Sequence, residues 1–395
     1  MSAIPILSAT LSSILLAATP GTTPADAGRA ATQPVDMAEL RRQAGPPIDK
    51  AMRYFVDRQA ADGGWKGMFG EGSDPAISAL IALTFIQHPD YGPKHPITQR
   101  AVRFILGFQQ PDGGIYNPQI GYGNYTTSIA LTTLAAMKDD SLKDIIRKAQ
   151  VWLKNNQWSE DKTDDKEKAV TASHPWYGGA GYGGDKKRPD LSNTQMMIEA
   201  LHASGLPADD PVYKRALKFI ERCQMSSGTN DQPFARGATD GGFIYSPANE
   251  GESKAETYDD HGTQRLRSYG SMTYAGFKSL LYAGVSRNDP RVRQAWEWIR
   301  RRYTLKENPN MPGERSYEGL YYYYHVFAKA LAAWGEPAII DAKGVVHDWR
   351  RDLIAELARR QRNDGSWVNV ADRWQEGNPN LVTAYSVLAL HAAIR

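Results

Sequence analysis

Two kinds of apolar segment alternate along this chain. The first kind places apolar residues three and four apart with charged residues between them. Val102, Ile105, Leu106 and Phe108 form one such set, and Leu217, Phe219, Ile220 and Cys223 another. That spacing collects them on one stripe of a helix and leaves a polar face opposite. The second kind, at 76–86, 126–137, 192–203, 271–283, 317–333 and 381–393, is apolar nearly all round and rich in small residues. A helix without a polar face must be buried on every side. The pattern predicts outer helices facing solvent and inner helices packed within them.

Between the two kinds a short signature recurs. Gln59-Ala60-Ala61-Asp62-Gly63-Gly64-Trp65 returns as Gln109-Gln110-Pro111-Asp112-Gly113-Gly114-Ile115-Tyr116 and as Gln361-Arg362-Asn363-Asp364-Gly365-Ser366-Trp367. A stretched copy runs from Gln224 to Asp240-Gly241-Gly242-Phe243, and a weaker one from Gln157 through Gly178-Gly179 to Gly183-Gly184. A further copy, without the signature, is placed at Tyr303. Asp-Gly-Gly ends a helix and turns the chain, because glycine accepts a positive φ. The first and last copies are the best kept, whereas an open solenoid would end in atypical polar caps. The expected fold is therefore all-α: a closed (α/α)6 toroid of six outer/inner helix pairs, one domain over 35–395. Polar insertions at 159–175, 225–239 and 248–267 fall near the turns, where insertions often build a site.

Ahead of the repeat, residues 4–18 form an apolar run too short to span a bilayer. Ala25-Asp26-Ala27 follows as a cleavage-like pattern, although no Lys or Arg precedes Arg29. Residues 1–34 are expected to be an export signal and flexible leader, placing the protein in the periplasm or outside the cell. The alternative is a disordered cytoplasmic N-terminus. No integral membrane span is expected. Lys and Arg number 47 against 44 Asp and Glu, a net charge of +3, which argues against nucleic acid as a partner. The single cysteine, Cys223, excludes an intrachain disulfide and any zinc site needing two thiolates. Twenty Tyr and 10 Trp stand against 10 Phe. Tyr and Trp join an apolar body to a polar edge and suit a wet cavity wall.

Gln-x-x-Asp-Gly-Gly/Ser-Trp after an outer helix resembles the repeat of the squalene/hopene cyclases, shared with the protein prenyltransferase β subunits. The resemblance covers about 350 residues and implies an α/α toroid around a cavity that takes isoprenoids. Function lives in the site and not in the fold, and the family's chemical motifs are missing. No D-x-D-D occurs; Asp74 and Asp259-Asp260 are the nearest acids before inner helices. At the place of the prenyltransferase Asp-x-Cys stand Tyr269 and Ser271, leaving His325 as one zinc ligand of three. No metal or other cofactor is expected.

Tyr321 to Tyr324 and His325 cover about a turn and a half of helix, so one or two of these aromatics must face the channel. Tyr125, Trp176, Tyr269, Tyr274, Tyr322 and Tyr323 are the candidate ligand-binding residues. Asp259, Asp260 and His325 are the candidate catalytic groups, the two acids sitting in the longest insertion with Arg265 and Arg267 close by. Three functions compete. One is binding of an isoprenoid or other small hydrophobic ligand in the central cavity. The second is secreted carbohydrate-active chemistry or polysaccharide binding. The third is a non-catalytic scaffold for a protein partner. Nothing in the sequence fixes the oligomeric state.

Overall fold

The computed structural model describes residues 36–67, 72–183 and 188–395. The expected export signal and leader over 1–34 lies outside them. Twelve α-helices are found among the described residues, and they alternate as the sequence predicts. The outer set is α1 (Met37–Val56), α3 (Pro96–Leu106), α5 (Lys143–Asn156), α7 (Pro211–Cys223), α9 (Pro290–Arg301) and α11 (Trp349–Arg360). The inner set is α2 (Pro75–Gln87), α4 (Gly123–Ala136), α6 (Leu191–Ala203), α8 (Gly270–Tyr282), α10 (Leu320–Trp334) and α12 (Pro379–Ala393). Each inner helix packs on the next, and α12 packs back on α2. The toroid is closed. Its first outer helix starts some ten residues before the repeat becomes visible in the sequence, and carries Pro46 and Pro47 within it.

The recurring signature is the joint that closes each pair. Gln59 Nε2 donates to its own turn at Gly63 O and across to Ile97 O in the next outer helix, both at 2.9 Å. Gln157 reaches Gly178 O and Val212 O, and Gln224 reaches Gly241 O and Arg291 O. Gln361 makes the same two bonds, to Gly365 O and Pro47 O, and so ties the last turn to the first helix. At Gly365 φ is +90°, and a Cβ there would lie 2.4 Å from Lys50 O, so only glycine lets the turn abut the helix backbone. A second repeated contact was not legible in the sequence. The backbone N–H after each turn donates to a hydroxyl on the following inner helix: Trp65 to Ser78, Ile115 to Thr127, Ala180 to Thr194, Phe243 to Thr273 and Trp367 to Thr383. In the copy lacking the signature, the Tyr323 and Tyr324 hydroxyls reach Thr304 O and Leu305 O instead.

The insertions are ordered. Trp158, Val170, Trp176 and Ala248 form one small core, and Met225, Ala238 and Ile244 another. Residues 248–267, read as a polar loop, contain an antiparallel hairpin of β1 (Thr257–Asp260) and β2 (Thr263–Leu266). A second, two-residue pairing joins β3 (Ile339–Ile340) and β4 (Val346–His347). Every outer-to-inner connection opens at the end of the toroid where the inner helices begin, so the insertions crowd that mouth.

Candidate functional site

Five inner helices present their first two turns to one cavity of about 460 Å³. Tyr125 of α4, Ser192 and Met196 of α6, Ser271 and Met272 of α8, Tyr322 of α10, and Leu381 and Tyr385 of α12 line it. The loops between them add Tyr122, Tyr182, Tyr245, Tyr269, Lys254, Trp374 and Glu376. The hydroxyls form short chains. Ser192 Oγ donates to the Tyr322 hydroxyl at 3.0 Å, and Gln195 Nε2 reaches the same oxygen at 3.1 Å. The Tyr125 and Tyr385 hydroxyls meet at 3.2 Å. Burial pushes the Tyr125 phenol up to about 12, so it stays neutral in this range of pH.

Three buried carboxyl groups stand at the beginnings of inner helices. Asp74 caps α2 by accepting from Ile77 N, and Asp190 caps α6 by accepting from Asn193 N. The α10 helix begins after Gly319, which has no side chain to offer and sits at φ +67°. Glu376 reaches in from the next connection and accepts from Tyr322 N at 2.7 Å, Tyr321 N at 3.3 Å and Asn369 Nδ2 at 2.6 Å. Desolvation outweighs these bonds and pushes Glu376 up to about 7. Its neighbours Trp374 and Gln375 sit at φ +57° and +67°, in the left-handed region that non-glycine residues seldom adopt. Such strain concentrates at functional segments. The Trp374 ring packs against Gly319, where a Cβ would come within 3.1 Å of it.

Among the described lining residues the one ammonium, Lys254, is already occupied. It pairs with Glu252, which also pairs with Arg188, and it lies 4.5 Å over the Tyr245 ring. Among the described lining residues there is no arginine.

The structure sorts the candidate residues into groups. Tyr125, Tyr269 and Tyr322 line the cavity. Tyr274 and Tyr323 are fully buried against each other and Phe327, between helices. Trp176 is edge-on to Trp158 in the small insertion core. Asp259 and Asp260 lie on the β1–β2 hairpin; Asp259 is exposed, and Asp260 is paired with Arg265. Neither is among the residues lining the cavity. His325 lies one turn below Tyr322, with its ring 5.1 Å from that of Tyr385. It is buried, and burial with Lys329 nearby holds it well below the ordinary histidine range, so it is neutral. Sequence reasoning missed Glu376, Trp374, Tyr182 and Tyr245.

Known proteins resemble this chain in part and in fold. The model of the squalene-hopene cyclase C-terminal domain matches residues 73–175, a stretch running from just before α2 to beyond α5. A drimenyl diphosphate synthase from Streptomyces showdoensis is 32% identical over 76 residues, 19% of this chain and 14% of that protein. A type II terpene cyclase from Scytonema, solved with geranylgeranyl dihydroxybenzoate, superposes with a TM-score of 0.56. It covers 90% of this chain and 99% of its own at 16% identity. The fold is an α/α toroid like that of the type II terpene cyclases. The toroid itself is shared more widely. A D-mannose isomerase also superposes with a TM-score of 0.56, at 10% identity over 92% of this chain and 99% of its own. No described helix of this terpenoid-cyclase-like toroid is long and apolar enough to cross a membrane.

Proposed function

We propose that the mouth cavity binds a neutral, largely apolar ligand of the isoprenoid class. The observation that carries this reading is the wall itself. Seven tyrosines and Trp374 surround a volume typical of small-molecule sites, with Met196, Met272 and Leu381 between them. Aromatic faces bind apolar chains and also favour developing positive charge. Among the described lining residues Lys254 is the one cation and is held by Glu252, which disfavours a diphosphate headgroup against them. An open cavity of this size also weighs against a purely structural scaffold with a filled channel.

The same geometry argues against cyclisation started by the standard acid. An alkene is a very weak base, and its protonation needs a strongly acidic carboxyl. Glu376 is a weaker acid than free glutamate and is held by N–H donors that favour its carboxylate. Its role in this reading is to accept a hydrogen bond from a ligand hydroxyl, together with Ser192. Asp259 and Asp260 stand outside the site, and His325 supports Tyr385 from below.

The test is a titration of the full chain with geranylgeraniol, followed by tryptophan fluorescence, with a Trp374→Phe variant as reference. Saturable quenching that is lost in Trp374→Phe is expected. Tyr322→Ala should weaken binding roughly tenfold, the equivalent of about 1.4 kcal/mol of lost aromatic contact. Absence of saturable binding, with maltotriose quenching Trp374 instead, would transfer the cavity to the carbohydrate reading.

A further inference from the structure

The hydroxyl groups that the inner helices bring to the aromatic cavity do not balance. Tyr125, Tyr322, Tyr385 and Ser192 all line it, and each carries one O–H hydrogen. The Tyr125 and Tyr385 hydroxyls meet at 3.2 Å, and that bond uses one of their hydrogens, whichever of them donates. Ser192 Oγ donates to the Tyr322 hydroxyl at 3.0 Å, and Gln195 Nε2 donates to the same oxygen at 3.1 Å. The Tyr322 oxygen therefore receives two hydrogens, and its own is left over. Among the described residues none accepts from the Tyr322 hydroxyl, and none accepts the second hydrogen of the Tyr125–Tyr385 pair. The Tyr322 and Tyr385 rings lie 5.9 Å apart, so the unspent donors border one space. Burial pushes both phenols up, and they keep their hydrogens at neutral pH.

We propose that the ligand of this cavity carries a carbonyl oxygen, held by the Tyr322 O–H and by the unspent O–H of the Tyr125–Tyr385 pair. The inference rests on the isoprenoid reading of the cavity and narrows its ligand class to prenyl ketones and aldehydes. Water satisfies the two donors while the cavity is open to it. An apolar chain displaces that water, and a donor then left without an acceptor is penalised. The ligand must bring the acceptor with it. A carbonyl oxygen has two lone pairs and no hydrogen, so it serves two donors and adds none. A hydroxyl in the same place also accepts, but it adds a hydrogen beside donors that are already in excess. Geranylgeraniol is therefore bound less tightly than a ketone of similar length. A hydrocarbon leaves both donors bare. Tyr322 sets this preference, because its oxygen is filled by Ser192 and Gln195 and its hydrogen is turned to the ligand.

Infrared difference spectroscopy of farnesylacetone, labelled with carbon-13 at the carbonyl and bound to the full chain, tests the proposal. Hydrogen bonds lower the C=O stretch, so the band is expected below its position in hexane. Tyr322→Phe keeps the ring and removes one donor. It should return the band part of the way and weaken the ketone about fivefold, the loss of one hydrogen bond. The analogue with a methylene in place of the carbonyl should lose no affinity to the same substitution. A band at the hexane position in the parent chain would overturn the proposal, whether or not the variant folds. So would a band and an affinity that Tyr322→Phe leaves unmoved, the result expected if the phenol hydrogen is spent on Gln195. Saturable binding of geranylgeraniol without binding of farnesylacetone would overturn the carbonyl alone. Binding of neither would overturn the isoprenoid reading as well.

Discussion

The two ends of the toroid's channel are built from the same six helices and do opposite things. At the mouth, where the inner helices begin, the exposed N–H groups meet the carboxyls of Asp74, Asp190 and Glu376. Toward the far end two ammonium groups gather. Lys278 and Lys329 both donate to Glu199, His325 lies close, and His391 is buried on α12. The mouth carboxyls thus complement the helix dipoles. The difference is in what remains unspent. The far-end charges are turned on one another, whereas the mouth keeps a cavity, hydroxyls and a carboxyl near neutral pKa. In the proposed reading the ligand belongs to the mouth, and the Glu199 cluster braces the helices further along.

The largest expected effect breaks the far end. Lys278 is 0% exposed and Glu199 accepts from it, so Glu199→Ala leaves a buried ammonium with little compensation. Removing one partner of a buried pair costs about 3–5 kcal/mol. Urea unfolding at pH 7 measures it, and adding Lys278→Met should recover most of the loss. A cost below about 1 kcal/mol would mean the cluster is not what braces this end.

The ends should also titrate in opposite directions. Burial raises Glu376 to about 7, so its contribution to stability is complete below the unfolded value near 4.5 and is lost as pH rises through 7. Linkage puts that loss at about 3 kcal/mol. Glu376→Gln should flatten the decline between pH 5 and 8. His391 runs the other way. Both ring nitrogens are buried and unpartnered, and burial pushes its pKa down to about 3. The unfolded chain takes up a proton near 6.5 that the folded chain refuses, so stability falls as pH drops below 6.5. His391→Leu should be more stable than the parent by about 2 kcal/mol at pH 5. Equal pH profiles for parent and variants would remove the contrast.

The smallest effect concerns closure, which both ends share. Gln361→Ala should cost about 1–3 kcal/mol, close to Gln224→Ala, because the closing joint is made like an internal one. A near-zero cost for Gln361→Ala alone would mean the ring is not held at that joint.

Much of the fold was legible because inner and outer helices differ in kind. The all-round apolarity of 381–393 locates α12 to within two residues, and the stripe of 102–108 marks the second half of α3. The site was less legible for the same reason. A helix apolar on every side gives no sign of which side faces a channel, so Tyr322, on the wall, could not be told from Tyr323 and Tyr274, in the packing. Trp176 looked like a rim residue because nothing in a polar insertion shows that it has a core of its own. Glu376 was invisible because it stands in a polar connection 54 residues from the Tyr322 N–H it caps. Its only signal is the pairing of an uncapped Gly319 with a carboxyl in the following turn.

The most direct test of the central contrast is to let a ligand choose its end. A geranylgeraniol analogue carrying a diazirine, irradiated with the full chain and mapped to single residues by fragmentation mass spectrometry, reports the residues it touches. Labels are expected on or beside Met196, Met272, Tyr322, Trp374 and Tyr385, competed away by unlabelled geranylgeraniol. Labels concentrated on or beside Lys278, Lys329 and His391, or the absence of any competable label, would contradict binding at the mouth.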